Sequence, residues 1–135
     1  MDAIEIIKAK AKKNPKSIIF PEGEDDRVVE AVKIALKEGI ITKAGLVGNV
    51  EKINQKLKGF NDSRIEILDP EKSGKLEEFA SIFYDLRKHK GISQEEALDT
   101  VKKNLYFAGL CVRTGIYDGF VGGSVNTTGE TVRAA

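Results

Sequence analysis

Hydrophobic positions change their period along the chain, and each change marks an element. From Asp2 to Lys13, Ile4, Ile7 and Ala11 recur at helical spacing until Asn14-Pro15 stops the run. Ser17-Ile18-Ile19-Phe20 is a short apolar strand closed by Pro21. Asp25 to Glu38 places Val28, Val29, Val32, Ala35 and Leu36 on one helix face, with Gly39 as its C-terminal stop. Ala44 to Val47 is a second strand. Asn49 then caps a helix carrying Val50, Ile53 and Leu57. Ile65 to Leu68 is a third strand, closed by Asp69-Pro70.

The second half starts helical. Gly74 to Lys88 presents Leu76, Phe79, Ala80, Phe83 and Leu86. Ser93 and Glu96 form a capping box for a helix reaching Lys103, and Asn104 caps another over Leu105 to Thr114. Asp118 to Val121 is a fourth strand, and after Gly122-Gly123 a second capping box, Thr127 with Glu130, opens a last helix. Val132 to Ala135 reads as an early helical turn with no stop signal, so a truncated N-terminal domain spanning residues 1–135 is expected. Strands separated by helices pair in parallel, which predicts a three-layer α/β/α domain with a mainly parallel sheet.

Composition narrows the setting. Hydrophobic residues make up 41% and charged residues 32%, as in a globular domain and unlike a disordered chain. A net charge of +1 supplies no field for nucleic acid or an anionic membrane. The single cysteine, Cys111, forms no internal disulfide and suits a reducing compartment. The N-terminal segment mixes apolar residues with lysines and lacks the apolar core of a signal peptide. The expected location is the cytoplasm. Lys8, Lys10, Lys12, Lys13 and Lys16 read as the wet face of the first helix.

The candidate chemistry concentrates between Asp118 and Arg133. A strand feeds a Gly-rich turn, then hydroxyls, then a helix start. Free amides and the helix dipole favour an anion there. Ser124, Thr127 and Thr128 add neutral donors, and Arg133 adds a forked cation suited to phosphate. From spacing alone a plain β–α turn with a helix cap explains the tract equally well. Neither a Walker A loop nor a GxGxxG fingerprint is present. The acidic loop Glu22 to Asp26 reads as a helix N-terminus in preference to a metal site, and Cys111 as a core residue in preference to a nucleophile. Arg87-Lys88-His89-Lys90 fits a solvated helix C-terminus.

The same tract resembles the signature of the phosphate acetyl/butyryltransferases: Asp-Gly-hydrophobic-Val, small residues, a Ser-Thr pair, then Thr-hydrophobic-Arg. Pro21-Glu22-Gly23-Glu24-Asp25-Asp26-Arg27-Val28, Leu86-Arg87-Lys88-His89-Lys90-Gly91 and Leu105-Tyr106-Phe107 resemble further family motifs, in family order and across nearly the whole chain. The sequence departs from the family at Asn126-Thr127-Thr128-Gly129-Glu130, where members often carry His-Ser-Thr-Ala-Asp, and at Ala134, where they carry proline. The resemblance implies an isocitrate/isopropylmalate dehydrogenase-like fold and reversible acetyl transfer between coenzyme A and phosphate. Arg133 would be catalytic, and Ser124, Thr127, Thr128 and Arg133 would bind phosphate or acetyl phosphate. Arg87 would bind coenzyme A, and Glu22 and Arg27 would line the cleft. No metal and no tightly bound cofactor are implied, only acetyl-CoA, phosphate and acetyl phosphate. Family enzymes are more than twice this long, so the general base, an aspartate, is expected beyond residue 135, and a homodimer in the whole protein. Butyryl transfer, or a noncatalytic acetyl-CoA-binding module, is the alternative.

Overall fold

The computed structural model describes residues 2–124, 126 and 128–134. Helices α1 (Ala3–Lys13), α2 (Asp26–Lys37) and α3 (Val50–Leu57) alternate with strands β1 (Lys16–Phe20), β2 (Ile41–Val47) and β3 (Ile65–Leu68). Helices α4 (Leu76–Arg87), α5 (Gln94–Val101) and α6 (Asn104–Arg113) follow, then β4 (Gly119–Phe120) and α7 (Thr128–Ala134). Among the described residues, four strands form one sheet in the order β3-β2-β1-β4, with each neighbouring pair parallel. The expected three-layer α/β/α architecture is the one observed.

Strand alternation sorts side chains into two cores, as the period of two requires. Ile19, Val47 and Leu68 face α4, α5 and α6, packing with Phe79, Phe83, Ala97, Phe107 and Tyr117. Phe20, Ala44 and Leu46 face α2 and α3, packing with Val28, Val29, Val32, Leu36 and Ile53. Phe79 and Phe107 tilt together with ring centroids 5.2 Å apart. Tyr117 is buried, and its hydroxyl donates to Glu66 Oε1 at 2.6 Å.

Caps follow the local chemistry. Asp2, Asp25 and Asn49 accept amides of their first turns, and Ser93 with Glu96 makes a reciprocal capping box. Some expectations shift. Strand β2 begins at Ile41, three residues before the expected Ala44: Thr42 and Lys43 break the apolar run, but Ile41 and Lys43 pair with Lys16 and Ser17 of β1 across a register shift at Thr42. Asn104 is the first residue of α6; Lys103 holds the cap position without a side-chain cap bond. Helix α1 buries none of its residues, and Ile4 and Ile7 are each 65% exposed. Thr127, the expected cap of α7, lies outside the described residues.

Candidate active-site cleft

The order β3-β2-β1-β4 contains one reversal. The chain leaves β1 through β2 to β3 on one side, then returns to place β4 on the other. The loops after β1 and β4 therefore emerge side by side at the carboxyl ends of adjacent strands, and such a switch point is where a parallel sheet forms a crevice. The two motif tracts of the sequence, Pro21 to Asp26 and Val121 to Asn126, meet there.

Their meeting is held by carboxylates. Glu22 Oε1 accepts the amides of Gly123 and Ser124, each at 2.8 Å. Its Oε2 accepts Asn126 N–H at 2.7 Å and Asn126 Nδ2 at 3.0 Å. Gly123 takes φ of 106°, which turns its N–H into the same hollow and which only glycine adopts without strain. Ser124 Oγ donates to Asp25 Oδ2 at 2.5 Å, while Arg27 Nη2 donates to the Ser124 carbonyl at 2.7 Å. The Ser124 hydroxyl, foremost among its causes, holds the Asp25 carboxyl below the usual carboxylate range. Glu24 accepts Asn49 N–H at 2.9 Å and faces Lys52, and Asp26 pairs with Lys56 at 2.9 Å. The acidic loop thus spends its charge on loop amides and cations.

Beside this brace lies an open cleft of about 620 Å³, lined by Glu22, Glu24, Asp25, Lys103, Tyr106, Asn126, Glu130 and Arg133 among others. Arg133 is exposed on α7, and its guanidinium folds back over the first turn: a methyl at Gly129 would stand 3.5 Å from Nη2. A second cleft of about 460 Å³ is lined by Phe83, Leu86, Arg87, Tyr106, Arg113 and Phe120. Arg87 lies over the Phe83 ring, 5.8 Å from its centroid.

The structure therefore brings Ser124 to the β1 loop as part of its brace, and Arg133 to the larger cleft. It places Arg87 in the neighbouring cleft, with Tyr106 forming a wall of both. Thr127 lies outside the described residues, as does the side chain of Thr128, which opens α7. Of the amides in this turn, those of Gly123, Ser124 and Asn126 are paired with Glu22. Sequence reasoning missed Lys103 and Tyr106 as lining residues. Lys103 carried a signal: a cation at a helix N-terminus opposes the dipole and gains nothing locally. Cys111 is fully buried, and burial pushes its thiol up to about 12, which removes it as a nucleophile.

Comparisons with known proteins bear on the family and the fold. The family model "Phosphate acetyl/butaryl transferase" matches residues 2–135. The chain is 43% identical over 135 residues to a phosphate acetyltransferase of Thermoanaerobacterium thermosaccharolyticum, covering all of this chain and 41% of that protein. It is 44% identical to the phosphate acetyltransferase of Clostridium acetobutylicum, covering 98% of this chain and 40% of that protein. A phosphotransacetylase structure from Streptococcus pyogenes superposes with a TM-score of 0.85 at 27% identity, over 99% of this chain and 42% of that one. The chain spans about two fifths of the length of these relatives.

Proposed function

The chain belongs to the phosphate acetyl/butyryltransferase family, and from that membership we propose that it forms one wall of the active-site cleft of a phosphate acetyltransferase. The observation that carries the reading is sustained identity, along the whole chain, to enzymes that bear that name. The crevice at the β1/β4 switch point, with Arg133 on its rim, supports it.

In the proposed reaction the coenzyme A thiol gives its proton to an aspartate. The thiolate then attacks the carbonyl carbon of acetyl phosphate, a C–S bond forms, and the C–O bond to phosphate breaks. Negative charge grows on the carbonyl oxygen and the departing phosphate. A donor aimed at those atoms lowers the barrier. Arg133 is that donor on this wall, with Thr127 and Thr128 as neutral partners. Arg87 holds coenzyme A in the adjoining cleft, where Tyr106 separates the two ligand ends. The larger cleft is lined by the carboxylates of Glu22, Glu24, Asp25 and Glu130 against the cations Lys103 and Arg133. Further cations for a polyanionic substrate, and the aspartate base, come on this reading from the region that the relatives carry beyond the matched part. The same reading makes the whole protein a cytoplasmic homodimer with no tightly bound cofactor.

A coupled assay of the gene product at the relatives' length, with acetyl-CoA and butyryl-CoA in parallel, tests the proposal. Acetyl transfer to phosphate is expected to dominate, and Arg133→Ala to lower it ~10²- to 10³-fold with the fold intact. Absence of transfer from either thioester, or wild-type rates in the folded variant, refutes the assignment. The 135-residue chain alone is expected to be inactive, and robust turnover by it would remove the need for a distant base.

A further inference from the structure

A Gly-rich turn with converging amides is an anion cradle by construction. Here the anion is supplied by the protein itself. Among the described residues Glu22 is the buried charged side chain, 7% exposed. A buried carboxylate is costly unless its oxygens are bonded, and both oxygens of Glu22 accept N–H groups from the β4–α7 loop. These bonds cross about a hundred residues of sequence, joining positions 101, 102 and 104 apart. Glu22 also lines the cleft that holds Asn126 and Arg133.

Two consequences follow from one carboxylate. Gly123, Ser124 and Asn126, on the approach to α7, are tied to the end of β1, so Arg133 is aimed from a braced base. The cradle is also closed to external anions, because a second negative group near its amides would meet the Glu22 charge. We propose that Glu22 is a positioning and specificity-determining residue: it fills the cradle, keeps substrate phosphate out of it, and directs the phosphate to the Arg133 side of the cleft. The proposal rests on reading this chain as a wall of a phosphate acetyltransferase cleft.

Amide NMR of the ¹⁵N-labelled 135-residue chain, titrated with inorganic phosphate, tests the exclusion directly. In the wild-type chain the Gly123, Ser124 and Asn126 amides should show no saturable shift. In Glu22→Ala the vacated cradle should take the ion, and the same amides should shift saturably. Saturable shifts in the wild type, or none in a folded Glu22→Ala chain, overturn the proposal. Should Glu22→Ala fail to fold, the wild-type titration still decides. In the enzyme at the relatives' length, Glu22→Gln keeps the side-chain size but forces an N–H against a loop N–H. It should lower kcat at least tenfold with the KM for coenzyme A unchanged. An unchanged kcat, or a loss confined to KM, counts against a positioning role. A wild-type enzyme without transferase activity would sink the proposed function while the titration still judged the cradle.

Discussion

Substituting Gly109 by alanine separates the placement of α7 from the stability of the fold. Gly109 lies inside α6, and a methyl there would stand 2.6 Å from the carbonyl oxygen of Ala134. Ordinary contact begins near 3.4 Å, so α7 must withdraw by about 0.8 Å (3.4 − 2.6) at that point. Retreat is cheap for α7, because no described residue of it is buried. The methyl meanwhile favours α6, since glycine in a helix interior costs about 0.8–1.0 kcal/mol relative to alanine. The chain should therefore keep its stability or gain up to roughly 4 °C in Tm. Catalysis should move the other way. Arg133 precedes Ala134, and a misplacement near 1 Å at a reacting group costs on the order of 10²-fold in rate. Thermal denaturation followed by circular dichroism, with a coupled transfer assay on the enzyme at the relatives' length, reads both quantities. Wild-type transfer with an unchanged or raised Tm would show that α7 need not sit where α6 now holds it. A large fall in Tm would show that α7 is anchored more firmly than its exposure implies.

Other expectations concern separate parts of the molecule. Arg87→Ala in the enzyme at the relatives' length should raise the KM for coenzyme A about tenfold and spare kcat, as loss of a ground-state contact does; an unchanged KM would return Arg87 to the role of a half-buried surface cation stacked on Phe83. Asp118 clasps the start of β1, accepting Ser17 N–H at 2.9 Å and Ser17 Oγ at 3.1 Å, and these bonds hold its carboxyl below the ordinary 3.8. A depressed folded pKa stabilises the protein above the unfolded value, and that contribution fades as pH falls through the folded one. Asp118→Asn should therefore flatten the dependence of the urea midpoint on pH below 3.8, and an unaltered acid limb would mean the clasp adds nothing. Cys111, buried with its thiol pushed up to about 12, should resist iodoacetamide at pH 8 in the native chain and react on unfolding; rapid native modification would contradict its burial.

What was legible in the sequence was local. The face Val28, Val29, Val32 and Leu36 of α2 was visible because a helix repeats on a fixed period, and those residues are buried together. The Ser93–Glu96 box was visible because both partners lie within one turn. Less visible was any feature that needs a neighbour from elsewhere. Thr42 and Lys43 look like loop residues until β1 lies beside them, Lys43 opposite Ser17 and its side chain set against Glu66 and the Tyr117 ring. Arg133 was expected at phosphate and Arg87 at coenzyme A, but that Tyr106 walls both of the clefts they line depends on how α4, α6 and α7 pack.

The Gly-rich tract shows where local reading ends. Its amides could be located from Gly122-Gly123 alone, and an anion expected there, because glycine and a following helix start are enough to create the cradle. The identity of the anion depends on which strand lies beside β4. Had β4 joined the β3 edge, two strands would stand between it and β1, and the acidic loop would not lie beside Gly123 and Ser124. The observed order sets β4 against β1, so the acidic loop that caps α2 also reaches the cradle. Asp25 then serves as the N-cap of α2 and the acceptor of Ser124 at once, and Glu22 fills the hollow between them. The two stretches that looked like separate motifs are the two halves of one brace, joined through Glu22 and Asp25.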